Sequence, residues 1–262
     1  MIDGLPLLTV VLLCLAALVA GWIDSVVGGG GLIQLPAVLV GLPSTTPIAT
    51  ISGTNKLSSV AGTAMASGIY LHKVRVSWPT TVVMVAAAFG GSSLGAHLIQ
   101  YFSRAVFVPI IIVVVAGVGL YTWRNPHLGQ VTHLKYDGAA HWVLALVLGG
   151  VVGLWDGLIG PGTGVFFVIG LVGLLGYEFL TATTMAKLAN LATNVAALIV
   201  LGTAGHILWG IGGCMAACNL VGGAIGSRMA VQRGNAFIRN VFLVAIVIIE
   251  ITLVVETVRL WT

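Results

Sequence analysis

The sequence predicts an all-α polytopic membrane protein of about eight to ten membrane segments, built from two internal repeats that each contain a glycine-broken or re-entrant helix. Three observations carry that prediction. Only 7% of the residues are charged and 58% are hydrophobic, whereas soluble domains carry roughly a quarter charged residues. Mean hydropathy is +1.11. Apolar runs of spanning length recur along the chain, and the two halves can be laid over one another. The first run, MIDGLPLLTVVLLCLAALVAGW, has no basic n-region and reads as a retained membrane segment rather than a cleaved signal.

The overlay is specific. Gly21, Trp22, Ile23 and Asp24 match Gly153, Leu154, Trp155 and Asp156, and Gly28 and Gly30 match Gly160 and Gly162, at an offset of 132 positions. After one gap the offset is 131, pairing Thr50 with Thr181, Lys56-Leu57 with Lys187-Leu188, Trp78 with Trp209, and the small-residue stretch 91–95 with 222–226. These matches divide the chain into a first transmembrane repeat (1–123), a connecting loop (124–140) and a second repeat (141–262).

Each half contains five apolar pieces in the same order. In the first they are 5–27, 32–42, 47–70, 76–100 and 105–121; in the second, 141–159, 165–176, 179–201, 207–229 and 237–255. The second piece of each half has about a dozen residues, too few to span a bilayer at about 1.5 Å per residue. A glycine-rich break precedes it: Gly28, Gly29, Gly30 and Gly31 in one half, and Gly160, Pro161, Gly162, Thr163 and Gly164 in the other. Glycine lets the backbone leave the helix, and Pro161 removes a donor. Gly90, Gly91, Gly95, Gly222, Gly223 and Gly226 read as close-packing positions between helices. If the first two pieces of each half make an even number of crossings, Lys73, Arg75, Arg124, Lys135, Arg228, Arg233 and Arg239 share one side of the membrane, opposite Arg104 and Arg259. That asymmetry favours inverted repeats and accounts for the basic pI near 9.2 without a nucleic-acid partner.

The third piece of each half carries a polar stripe. Ser52, Lys56, Ser59 and Thr63 follow an i, i+4, i+7, i+11 spacing, and so do Thr183, Lys187, Asn190 and Asn194, placing each set on one helix face. An ammonium in the middle of an apolar run is costly, so two on repeated polar faces point to a path for a negatively charged solute. The candidate binding set is Lys56 and Lys187, with Asn55, Ser59, Asn190 and Asn194 as donors, and the breaks around Gly28, Gly29, Gly30, Gly31, Gly160, Gly162 and Thr163 as sources of backbone amides. Asp24 and Asp156 each precede a break by four residues. They can pair with the lysines, cap the broken helix or carry protons.

Other chemistries find little support. Cys14, Cys214 and Cys218 lie in apolar runs without metal-ligand or disulfide spacing, so neither a metal nor a cofactor is expected. No HExxH, GxSxG or paired-aspartate motif argues for an intramembrane enzyme. An anion or proton channel, or a permease for a different small solute, stays open as an alternative. Glu250, inside the last apolar run, faces either a neighbouring helix or a second protomer, which leaves a homodimer among the expected assemblies.

The stretches 21–36 (GWIDSVVGGGGLIQLP), 54–63 (TNKLSSVAGT) and 153–165 (GLWDGLIGPGTGV), with 187–194 and 90–96, resemble the sulfite exporter TauE/SafE family of membrane permeases. With the duplicated layout the resemblance covers nearly the whole chain. It implies a secondary permease for sulfur-containing anions such as sulfite or sulfonates. Together with the repeats, the reading is a bacterial inner-membrane carrier that works by alternating access at a central site, with export of sulfite or a small sulfonate as its task. Its partners would be that small anion and the surrounding lipid.

Overall fold

The computed structural model of the protein describes residues 2–43, 45–99 and 132–261. Among them run α1 (Leu7–Val27), α2 (Gly31–Gly41), α3 (Ile48–Leu71), α4 (Trp78–Leu98), α5 (Gly138–Leu158), α6 (Thr163–Ile169, continued by a π-helical turn over Gly170–Leu175), α7 (Phe179–Thr203) and α8 (Trp209–Trp261). No strand occurs among the described residues, only an isolated bridge between Ile2 and Leu5. The expected piece at 105–121, with Arg104 and Arg124, lies outside the described residues, as do the side chains of Arg239, Glu250 and Arg259.

Among the described residues, five spans are long and apolar enough to cross a membrane: Leu7–Val27, Trp78–Leu98, Gly138–Leu158, Phe179–Thr203 and Trp209–Ile238. Helix α3 matches them in length at 24 residues but carries more polar side chains. The two short pieces are present as expected, α2 with 11 residues and α6 with 7 before its π turn. Glycine conformation sets the breaks before them. Helix α1 ends at Gly28, in the left-handed region at φ 82, where its N–H bonds the Asp24 carbonyl at 2.7 Å. Gly160 and Gly162 take φ 90 and 82 after α5. Side chains disfavour that region, so these turns demand glycine. Helix α8 breaks once, at Gly234 (φ 70, ψ −162).

Helices α3 and α7 cross at the centre in opposite directions. Ala49 at the start of α3 clusters with Ala197 and Leu201 near the end of α7, while Tyr70 clusters with Phe179 and Ala182 at the other end. Two parallel pairs flank them. In α1 and α8, Gly222 meets the carbonyl of Leu18 and Gly226 that of Trp22. In α4 and α5, Gly149, Gly153 and Gly157 meet the carbonyls of Met84, Ala88 and Ser92. A Cβ at any of these positions would enter facing backbone, so only glycine allows the approach. Gly90 departs from expectation: a Cβ there meets nothing within 4 Å, because it points away from the α5 interface that its neighbour Gly91 joins.

The outer faces suit lipid. Leu8, Leu12, Leu15 and Val19 on α1, and Val143, Leu146, Val147 and Val151 on α5, are exposed. Lys135 donates to the Gly173 carbonyl at 2.5 Å, and Arg233 stacks on Phe237. Val74, Phe237 and the π turn that Lys135 touches all border the hydrophobic cluster around Tyr70, so Lys73, Arg75, Lys135 and Arg233 gather at that end of the bundle.

The glycine interfaces generate a paired prediction. Gly153→Val should cost about 1–3 kcal/mol by overpacking, read as a lower temperature of half-survival on size-exclusion chromatography in detergent. Gly90→Val, at a position that faces open space, should leave that temperature within the scatter of wild type.

Candidate functional site

The polar stripes meet where α3 and α7 cross. Lys56 Nζ lies 2.6 Å from Asp156 Oδ2, and Lys187 Nζ lies 3.1 Å from Asp24 Oδ2. Lys187 also donates to the Asp24 backbone carbonyl. Each ion pair therefore joins the stripe of one half to the end of the broken helix in the other. The lysine side chains are 2% and 1% exposed, and their burial is tolerable because each charge has an opposite partner. Of the roles open to the aspartates, the structure shows pairing with the lysines, so the positive potential of the two ammonium groups is balanced by two carboxylates.

The pairs are not equivalent. Asp156 uses both oxygens, accepting from Lys56 at Oδ2 and from Thr163 Oγ1 at Oδ1, 2.7 Å away. Thr163 shares its hydroxyl hydrogen with the Gly160 carbonyl, also at 2.7 Å. Gly160 in turn leaves room for the lysine, since a Cβ there would sit 3.3 Å from Lys56 Nζ. In the first half Gly31 stands where Thr163 stands in the second. Asp24 accordingly has no matching hydroxyl, and its side chain is 16% exposed against 2% for Asp156.

Between the pairs is a void of about 20 Å³, room for a single water. Asp24, Gly28 and Gly31 wall it on one side, and Asp156, Gly160, Thr163 and Gly164 on the other. Asn55, Lys56 and Ser59 from α3, and Asn190 and Asn194 from α7, complete it. Most of the sequence-predicted set converges here. Lys187 does not line the void but sits behind Asp24. Gly29 and Gly30 pack against α1, and Gly162 faces the Phe166 ring. The Oδ1 of Asn55 is buried without a partner, so one end of its amide is available to a guest; a turn of the amide about its axis exchanges acceptor for donor.

Two contributors, Gln34 and Asn219, escaped the sequence reading, as did one contact between the breaks. Gly164 and Gly28 touch backbone to backbone, bringing the two breaks together. Gln34, the lone polar side chain of α2, donates to the Asn55 carbonyl at 3.2 Å and accepts from Asn219 of α8 at 2.6 Å. A single polar residue within an otherwise apolar stretch was the available signal for both. Beyond this centre the ends differ. At the α3 N-terminal end a cleft of about 220 Å³ is lined by Ala49, His97, Leu201, Thr203 and His206 among others. At the opposite end Tyr70 is fully buried and donates to the Ser25 carbonyl at 2.9 Å.

Long apolar helices around a buried, charge-balanced polar centre define a multi-pass membrane transporter. The chain matches the family described as "Sulfite exporter TauE/SafE" over residues 13–253, and it belongs to that family. It is 33% identical over 253 residues to a probable membrane transporter protein, ORF9, of Sinorhizobium sp, with 95% of each chain covered. It is 32% identical over 253 residues to the probable membrane transporter protein YfcA of Escherichia coli (strain K12), covering 96% of this chain and 91% of that one. A probable membrane transporter protein of Haemophilus influenzae is 34% identical over 236 residues, with 90% of each covered. No solved structure matches the chain.

Removing one member of a buried ion pair strands the other charge, at a cost of about 3–5 kcal/mol. Lys56→Gln and Asp156→Asn should each lower the midpoint of thermal unfolding, and the double variant should be more stable than either single one. Additive losses in the double variant would show that the pair carries no coupling.

Proposed function

We propose that this protein is a secondary carrier, not an enzyme, for small anions, most specifically sulfite or an organosulfur anion such as a sulfonate, acting in export across the bacterial inner membrane. The observation that carries the reading is the central void, where both glycine breaks, both polar stripes and both aspartates converge on Lys56. Membership of a family described by sulfite export supplies the substrate class. Alternating access between two inverted repeats, in about eight to ten crossings, is supported by the antiparallel α3 and α7 and by the reciprocal packing of α1 on α8 and α4 on α5. The basic residues gathered at the Tyr70 end support, through the positive-inside rule, a cytoplasmic Tyr70 end and an outward-facing His206 cleft.

In this reading the guest enters from either end in turn, and the breaks part to make room for it. The void of about 20 Å³ is far below the roughly 300 Å³ at which ligand pockets begin, so the walls have to separate before a guest fits. Asn55, Ser59, Asn190 and Asn194 supply hydrogen bonds around the oxyanion, and Lys56 supplies charge.

Purified protein in liposomes tests the reading. Sulfite or methanesulfonate flux should saturate and show counterflow, with sulfate and acetate as comparison anions; non-saturating flux without counterflow would indicate a channel. The Lys56→Gln/Lys187→Gln variant should lose at least about tenfold in flux, since two buried carboxylates are left unpaired. Wild-type flux in that variant would exclude this site.

A further inference from the structure

The charge count around the void carries a consequence for coupling. Lys56, Lys187, Asp24 and Asp156 sum to zero in the empty carrier. An anion entering that centre leaves one uncompensated negative charge in the hydrocarbon layer, which is costly. One positive charge therefore has to arrive with it. Among the described residues no cluster of three or more His, Cys, Asp or Glu side chains stands ready for a metal ion, and the Lys187 ammonium already occupies the cation position beside Asp24.

We propose that Asp24 is the proton carrier of a proton-coupled cycle that selects monovalent anions, and that its carboxylate stands in for the anion when the carrier is empty. Asp24 is the freer carboxylate: it has one side-chain contact at 3.1 Å and 16% exposure, and Gly31 denies it the hydroxyl that Thr163 gives Asp156. It also borders the void, while its partner Lys187 stays behind it. The groups facing it are Lys187 from α7, Lys56 from α3 and Asp156 from α5 around the void, with Tyr70 beside Ser25 on its own helix. On the open side a proton passes from water to an Asp24 oxygen, breaking its ion pair and leaving one net positive charge. The monoanion binds and restores neutrality. On the other side the anion leaves, the proton returns to water, and the Asp24–Lys187 pair re-forms. Empty and loaded carriers are both neutral, so each anion moves with one proton and no net charge.

This inference rests on the carrier reading, and one experiment separates the two. Methanesulfonate is the probe because it stays singly charged across the working pH range, so a pH effect belongs to the protein. Wild-type proteoliposomes with trapped pyranine and sodium-free buffers should acidify as methanesulfonate enters, at one proton per anion, with a rate indifferent to a valinomycin-set potential. Asp24→Asn fixes the protonated form, so the empty carrier is left charged and cannot return. The ratio of its net flux to its counterflow should fall at least roughly tenfold, with acidification abolished. Asp24→Glu should restore part of the net flux, and Asp156→Asn should depress both modes together. Counterflow without acidification, a requirement for sodium, or a net-to-counterflow split at Asp156 instead of Asp24 would overturn the proposal while leaving the carrier intact. Absence of any flux of methanesulfonate and sulfite in wild type would remove both.

Discussion

Everything at the centre of this molecule depends on burying four formal charges at once. A lysine or an aspartate alone in hydrocarbon is too costly to keep, and two lysines on neighbouring helices would repel. The structure answers by crossing the partners: Lys56 takes Asp156 and Lys187 takes Asp24. Because each aspartate terminates a broken helix, the same contacts that neutralise charge also hold the breaks at the crossing point of α3 and α7. Electrostatics and architecture are one constraint here. The void is small for the same reason, since opposite charges at 2.6 and 3.1 Å draw the walls together.

The glycines serve that constraint at two scales. At the breaks, Gly28, Gly160 and Gly162 adopt backbone angles that side chains avoid, which lets the chain turn within the bundle. Gly28 and Gly164 then meet backbone to backbone, and Gly160 clears the path of the Lys56 side chain. Along the flanking pairs, glycines remove side chains altogether so that carbonyls meet Cα atoms. A structure with 36 glycines in 262 residues has exchanged much of its side-chain packing for backbone proximity, as membrane helices with small-residue interfaces do.

Much of this was legible in the residues. The polar stripes at helical spacing picked out Lys56, Ser59, Asn190 and Asn194, which line one space, because period and burial of charge are local properties. The glycine breaks and the two short helices were legible because too few apolar residues follow each break to span. The choice between free and paired lysines was not, since Asp156 is 100 positions from Lys56 and Asp24 is 163 from Lys187; pairing at that range is decided by how α1 and α5 approach α7 and α3. Gln34 and Asn219 were missed because their hydrogen bonds exist only once α2 has folded back between α3 and α8. Gly90 and Gly91 look alike in sequence and differ only in the direction they face.

The α4–α5 contact has a mechanical corollary. Gly149, Gly153 and Gly157 repeat every four residues and each receives a carbonyl from one turn of α4. A slide of less than a full turn would drive Leu148, Val152 or Asp156 into a space that holds no side chain. The pair has no gradual way to shift and behaves as a single beam, so any rearrangement that uncovers the centre must bend or rotate the chain between such beams.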